Sequence, residues 1–193
     1  MELLAVSKYA DVAAVRALAA AGQRLFGENR VQDATAKINA LAGDPPPGEP
    51  LAWHLVGHLQ TNKVPLVAGR FRLIQSLDSL RLGELLAARD PRQAVLLEVN
   101  VSRESAKHGV DPEQAVAVAR QMSALLSLEG LMGIGPLSGD PEPAFRSLGA
   151  LRRECQDVTG RSLPILSMGM SGDFEVACRA GSTMLRLGRI LFG

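Results

Sequence analysis

A lysine at the end of an apolar run is the first residue of this chain able to form a covalent bond with a ligand. Leu3-Leu4-Ala5-Val6-Ser7-Lys8 has the pattern of a strand in a parallel sheet covered by helices on both faces. Strand side chains alternate, so Lys8 shares a side with Leu4 and Val6. If that side faces the inside of a barrel, Lys8 lies at the C-terminal rim, where barrels carry their chemistry. Partial desolvation there lowers an amine's proton affinity and makes it a nucleophile for a carbonyl. The alternative is a lysine that reaches from a strand end into solvent. Two further groups lie near the other end of the chain, Ser167-Met168-Gly169-Met170-Ser171 and Arg186-Leu187-Gly188-Arg189. The first leads into a helix start and offers hydroxyls, backbone N–H groups and the positive end of a helix dipole. In the second, Gly188 lets a backbone N–H approach an anion with no side chain in the way. Taken singly, Ser171 also reads as a helix cap and Gly188 as a turn glycine.

The elements that would position these residues alternate strictly. Strands are expected at Leu3–Lys8, Arg24–Asn29, Leu51–Gly57, Arg72–Leu77, Ala94–Val101, Leu128–Ile134, Pro164–Ser167 and Thr183–Leu187. Helices follow the first seven. Asp11 caps the first before Val12, Val15, Leu18 and Ala19, and Gly22 stops it. Others run over Val31–Leu41, from the His58–Lys63 junction, through Leu80, Leu85 and Leu86, from Asp111-Pro112 to Leu126, over Pro141–Gly160, and from Ser171-Gly172-Asp173 to Gly181. Gly43 to Pro50 (GDPPPGEP) reads as a stiff surface connection. Eight parallel strands with right-handed crossovers close a barrel. An open doubly wound sheet is the competing architecture, but the first strand–helix turn lacks a glycine-rich dinucleotide fingerprint.

In a closed barrel strands one and eight are neighbours. Barrels commonly hold phosphate with the loops after strands seven and eight. A flat aldehyde bearing a phosphate would therefore bridge Lys8 and that cup, and pyridoxal phosphate is such a molecule, with Arg186 facing its ring nitrogen.

Composition narrows the class. The chain has 193 residues, a formal net charge of +1, 47% hydrophobic and 4% aromatic residues, which suits one helix-rich α/β domain spanning 1–193 and gives no electrostatic reason to expect nucleic acid or a membrane surface. Cys155 and Cys178 have neither metal-ligand nor disulfide-framework spacing. No apolar stretch is long enough to span a bilayer, and no basic leader precedes the first strand. These features imply a soluble cytoplasmic protein.

Several longer motifs carry a resemblance. AVSK at Lys8, FGEN at Phe26–Asn29, WHLVGHLQTNK at Trp53–Lys63, LLEVNVS, GLMGI, LSMGMSGDFEVACRAGSTMLRLG and the closing FG are similar, over essentially the whole chain, to the pyridoxal phosphate homeostasis protein family. The resemblance implies a single (β/α)8 TIM-type barrel like the N-terminal domain of alanine racemase. It implies pyridoxal 5'-phosphate held as a Schiff base on Lys8, with Ser167 and the backbone of Gly188 and Arg189 at the phosphate, Arg186 at the pyridine nitrogen and Asn29 close to the ring. It also implies a carrier or buffer of the cofactor in vitamin B6 and amino-acid homeostasis, with no established turnover. Two departures stand out. The family's usual helix before the first strand is missing, which leaves the barrel without an eighth outer helix. Arg189 replaces a common threonine, which preserves an N–H contact and removes a hydroxyl one.

The residues themselves favour holding over turnover. An arginine at the ring nitrogen disfavours carbanion chemistry, although racemases of this fold work with one, and a two-base reaction needs an acid–base group opposite Lys8. Tyr9 is adjacent to Lys8, His54 reads as a satisfied inter-strand histidine, and His58 has no evident partner. The competing readings are a racemase- or lyase-type enzyme using the same cofactor, and a phosphosugar barrel enzyme using Lys8 as in an aldolase. The partners expected are pyridoxal phosphate and apo-enzymes that receive it, with the chain a monomer or weak dimer, no catalytic residue and no metal.

Overall fold

The computed structural model describes residues 1–43, 45–67 and 69–193; Asp44, inside the proline-rich connection, lies outside them. Eight parallel strands form a closed barrel in sequence order: β1 (Glu2–Val6), β2 (Leu25–Glu28), β3 (Ala52–Leu55), β4 (Leu73–Leu77), β5 (Ala94–Val99), β6 (Ser127–Gly133), β7 (Ile165–Ser167) and β8 (Met184–Leu187). β8 closes on β1, with Leu4 opposite Arg186 and Ala5 opposite Leu187. The open-sheet alternative is thereby excluded. The helices are α1 (Val12–Ala20), α2 (Val31–Ala42), α3 (Val64–Val67), α4 (Leu80–Ala87), α5 (Pro112–Leu125), α6 (Glu142–Thr159), α7 (Phe174–Arg179) and α8 (Arg189–Phe192), with a 3-10 turn over Thr61–Lys63.

The expected strands and helices are all present, with ends moved by a residue or two. One expectation needs correcting. A short eighth helix, α8, does follow β8. The Arg189-Ile190-Leu191-Phe192 segment completes one turn because Leu191 and Phe192 both donate to the Gly188 carbonyl. Among the described residues, no helix is long and apolar enough to cross a membrane.

Two sets of apolar residues build the molecule. The main core lies between strands and helices and includes Val15, Phe26, Leu55, Ile74, Val95, Leu131, Phe145 and Leu166. A smaller cluster of Leu73, Ala94, Leu96 and Met132 fills the lower part of the barrel interior. Alternation along the strands produces this division, since neighbours in sequence face opposite sides. The first helix illustrates the local logic. Asp11 is extended, and its Oδ1 accepts from the Ala14 N–H at 2.8 Å. Asp11→Ala is expected to lower stability by about 1 kcal/mol in urea denaturation, since it strands one helix-terminal donor.

Candidate functional site

The upper half of the barrel interior is polar. Gln75 on β4 lies 3.2 Å from the Met184 sulfur on β8. These strands are four apart in an eight-stranded barrel, so Gln75 crosses the lumen. Around it runs a directed chain of hydrogen bonds. Arg186 Nη1 donates to Ser167 Oγ at 2.8 Å. Ser167 Oγ donates to Gln75 Oε1 at 2.6 Å. Gln75 Nε2 donates to His54 Nδ1 at 3.0 Å. The direction is fixed at its source. Arginine has no acceptor, so the Ser167 proton must point to Gln75, and the Gln75 amide nitrogen must point to His54. His54 is thus the acceptor at Nδ1, which requires the neutral ring. Burial, aided by the Arg72 charge, lowers its pKa to about 4. It is the satisfied inter-strand histidine that the sequence suggested.

Arg186 is 5% exposed. Its second nitrogen donates to the Gly133 carbonyl at 2.9 Å. Burial lowers its pKa to about 10, while the Glu98 and Asp173 charges oppose the drop. The guanidinium therefore stays charged at neutral pH, in a fixed position at the top of the lumen. Ser167, expected at the phosphate, is engaged within the lumen. It is fully buried, and its hydroxyl is committed to Gln75 and Arg186. In this arrangement it props Arg186, and its proton points to Gln75. The half-buried hydroxyl in the β7 loop is that of Ser171.

Lys8 also differs from expectation in one respect. β1 ends at Val6, and the chain turns, with the Ala10 N–H donating to the Ser7 carbonyl at 2.9 Å. Lys8 stands exposed on this turn, so the partial desolvation expected of it is not found. Its ammonium lies 5.0 Å from the Tyr9 ring centre, and it makes no hydrogen bond or ion pair among the described residues. What is buried is the support beneath it. Glu28 Oε1 accepts from Ser7 Oγ and from Lys37 Nζ, each at 2.6 Å, and Lys37 Nζ also reaches the Ser7 carbonyl at 2.6 Å. Glu28 is fully buried, and its Oε2 has no partner. This clamp fixes the residue before Lys8.

Asn29 follows Glu28 and is half-buried. The backbone at Gly57 passes so close that any Cβ there would collide with the Asn29 carbonyl, so the β2 and β3 exits are held together. Gly188 continues the β1–β8 pairing one step past Ala5–Leu187, and a Cβ on it would lie 3.1 Å from the Val6 carbonyl oxygen. Lys8 and Gly188-Arg189 thus share one sector of the rim. Arg189 is exposed. The backbone N–H groups of Ser171, Gly172, Arg189 and Ile190 donate no backbone hydrogen bond among the described residues. Four such donors, a glycine approach, an exposed amine at the β1 exit and a fixed guanidinium on the neighbouring strand form a donor set suited to a phosphate-bearing aldehyde.

Residues 1–193 match the family described as alanine racemase, N-terminal domain. The pyridoxal phosphate homeostasis protein of Vibrio cholerae is 41% identical over 202 residues, covering 100% of this chain and 85% of that protein. The chain belongs to this family. PipY of Synechococcus elongatus PCC7942 superposes with a TM-score of 0.92 without PLP and 0.88 with PLP bound, at 37% identity. Both superpositions cover 100% of this chain, and 93% and 92% of the PipY chains respectively. Alanine racemase from Corynebacterium glutamicum, at 15% identity and a TM-score of 0.75, covers all of this chain and 56% of its own, and shares the fold alone.

Sequence reasoning missed three residues of this site. Gln75 was legible as a polar residue inside a buried strand that also holds Ser76, and a buried amide needs a partner. Glu28 and Lys37 are 9 apart on different elements, and nothing local pairs them. His58 also has a partner, contrary to expectation: its Nδ1 lies 3.0 Å from Asp78 Oδ2.

Proposed function

We propose that this chain is one pyridoxal 5'-phosphate-binding barrel over residues 1–193, which carries or buffers the cofactor, with Lys8 as its covalent anchor. The observation that supports the reading is the β1–β8 closure: the strand that leads to Lys8 pairs with the strand that carries Arg186 and leads to Gly188-Arg189, and Arg186 is held in the lumen by Ser167. In this assignment the N–H groups of Arg189 and Ile190, with Ser171 and Gly172 across the loop, hold the phosphate. Arg186 faces the pyridine nitrogen, Asn29 borders the ring, and Ser167 acts through Arg186. When bound, the cofactor supplies an aldehyde carbon and an electron-poor ring. Arg186, permanently charged and a donor only, disfavours protonation of that ring nitrogen. This limits the ring as an electron sink and supports a carrier over an enzyme. The exposure of Lys8 supports the same reading, because a carrier must release what it holds. We extend the proposal to a cytoplasmic monomer or weak dimer that delivers the cofactor to apo-enzymes.

The test is an absorbance spectrum after incubation with pyridoxal phosphate and desalting. Wild type is expected to retain a visible chromophore, and borohydride is expected to fix it on the peptide containing Lys8. Lys8→Ala is expected to retain none. An equal chromophore on Lys8→Ala overturns the assignment. Turnover of an amino acid by the loaded wild type, lost in Lys8→Ala, overturns the carrier reading alone.

A further inference from the structure

The rim of the barrel opposite Lys8 carries a second cluster. His58 leaves the β3 exit, Asp78 directly follows β4, and His108 lies in the long loop after β5. Asp78 Oδ2 is 3.0 Å from His58 Nδ1 and 3.8 Å from His108 Nδ1. One ligand atom from each residue falls within 4.8 Å of the others. The two imidazoles stack, with centroids 4.0 Å apart and planes 12° apart.

Each of the three is held in place. Asp78 is the residue after a fully buried strand. His108 precedes Gly109, whose φ of +115° and close approach to Asn100 exclude a side chain. The Val110 N–H donates to the Glu98 carbonyl and the Asn100 N–H to the Val110 carbonyl, pinning that loop to β5. His58 opens onto a cleft of about 550 Å³ whose lining includes Asn62 and Ser79. The reading of Lys8 and the phosphate cup uses none of these residues.

We infer that His58, Asp78 and His108 form a binding site for a divalent first-row cation, Zn2+ above all. Two imidazoles and one carboxylate are a recognised zinc set, and the exposure of the cluster leaves a position for water. Ligand atoms bound at about 2.0–2.2 Å to one tetrahedral ion sit roughly 3.3 Å apart. The Asp78–His58 spacing is already close to that; the Asp78–His108 spacing must shorten by about half an ångström, and the more exposed His108 ring must turn out of its stack on His58 so that both in-plane lone pairs meet at one ion. The inference does not depend on the pyridoxal phosphate reading.

The experiment uses the full chain, stripped with a chelator and dialysed. Zn2+ affinity is measured by competition with a chromogenic chelator, and Co2+ is added separately to read its visible spectrum. Wild type is expected to bind about one equivalent, with a Co2+ band of low-coordinate geometry. Asp78→Asn and His108→Ala are each expected to weaken binding by at least about 100-fold, as loss of a direct ligand exceeds the loss seen for outer partners. His108 is exposed, so His108→Ala tests the site without threatening the fold. Retention of the pyridoxal phosphate chromophore by His108→Ala keeps the two assignments separate. Absence of a tight equivalent in wild type, or unchanged affinity in His108→Ala, overturns the site.

Discussion

Lys37→Ala is expected to destabilise the protein by about 3–5 kcal/mol in urea denaturation, the range for breaking one side of a buried ion pair. The geometry explains the size. Lys37 is the counter-charge of Glu28, which is fully buried and already has one unpartnered oxygen. Without the ammonium, Glu28 keeps a single donor, the Ser7 hydroxyl, and the Ser7 carbonyl loses its 2.6 Å contact. Removing both charges is expected to be milder. Lys37→Met combined with Glu28→Gln leaves an amide able to accept from Ser7 Oγ and no isolated charge, and is expected to recover more than half of the loss. The double-mutant cycle reads this as a coupling energy. If the double variant is as unstable as Lys37→Met plus Glu28→Gln summed, the pair does not act as a unit. The same clamp precedes Lys8, so Lys37→Ala is also expected to reduce chromophore retention under conditions where it is still folded.

The barrel was legible because its signals are local. Apolar runs alternate with capped, amphipathic helices, and the order of elements leaves few topologies. Lys8, Arg186 and Gly188 were legible for a related reason: each sits at the end of a strand, and strand ends of a closed barrel share one face. Ser167 shows where this reasoning stops. Its proton direction is set by Arg186 and Gln75, residues 19 and 92 positions away, which no local pattern records. Lys8's exposure was open to both readings of the sequence, since alternation predicts the side a residue takes but not whether the strand continues to carry it. The pairing of His58 with Asp78 depends on the relative heights of two neighbouring strand exits, which no single-strand pattern records.

The pH dependence of stability is expected to be nearly flat between about pH 4.5 and 6.5, and to break into opposite slopes when either of two residues is replaced. His54 has its pKa lowered from 6.5 to about 4 by burial, with Arg72 the charge that adds to it. Its folded form binds the proton less readily, so its contribution is complete above pH 6.5 and is lost as pH falls toward 4. Glu98 is raised from 4.5 to about 7, by burial first and then by Asp78, against the pull of Arg186. Its folded form binds the proton more readily, so its contribution is complete below pH 4.5 and is lost as pH rises through 7. Each shift corresponds to about 3 kcal/mol, and over the shared window the two act in opposition. His54→Asn preserves an acceptor near Nδ1 for Gln75 and removes the titration; its stability is expected to fall steadily from pH 4.5 to 7. Glu98→Gln is expected to show the reverse, a rise over the same range, and to exceed wild type in stability at pH 8. Urea denaturation at constant ionic strength, stepped from pH 4.5 to 8, separates the three proteins. A Glu98→Gln profile parallel to wild type would mean that Glu98 titrates alike in the folded and unfolded chain. The physical reason for expecting otherwise is the lumen itself. Burial there disfavours the carboxylate, and Arg186, whose hydrogen bonds are spent on Ser167 and Gly133, offsets that cost only through its field.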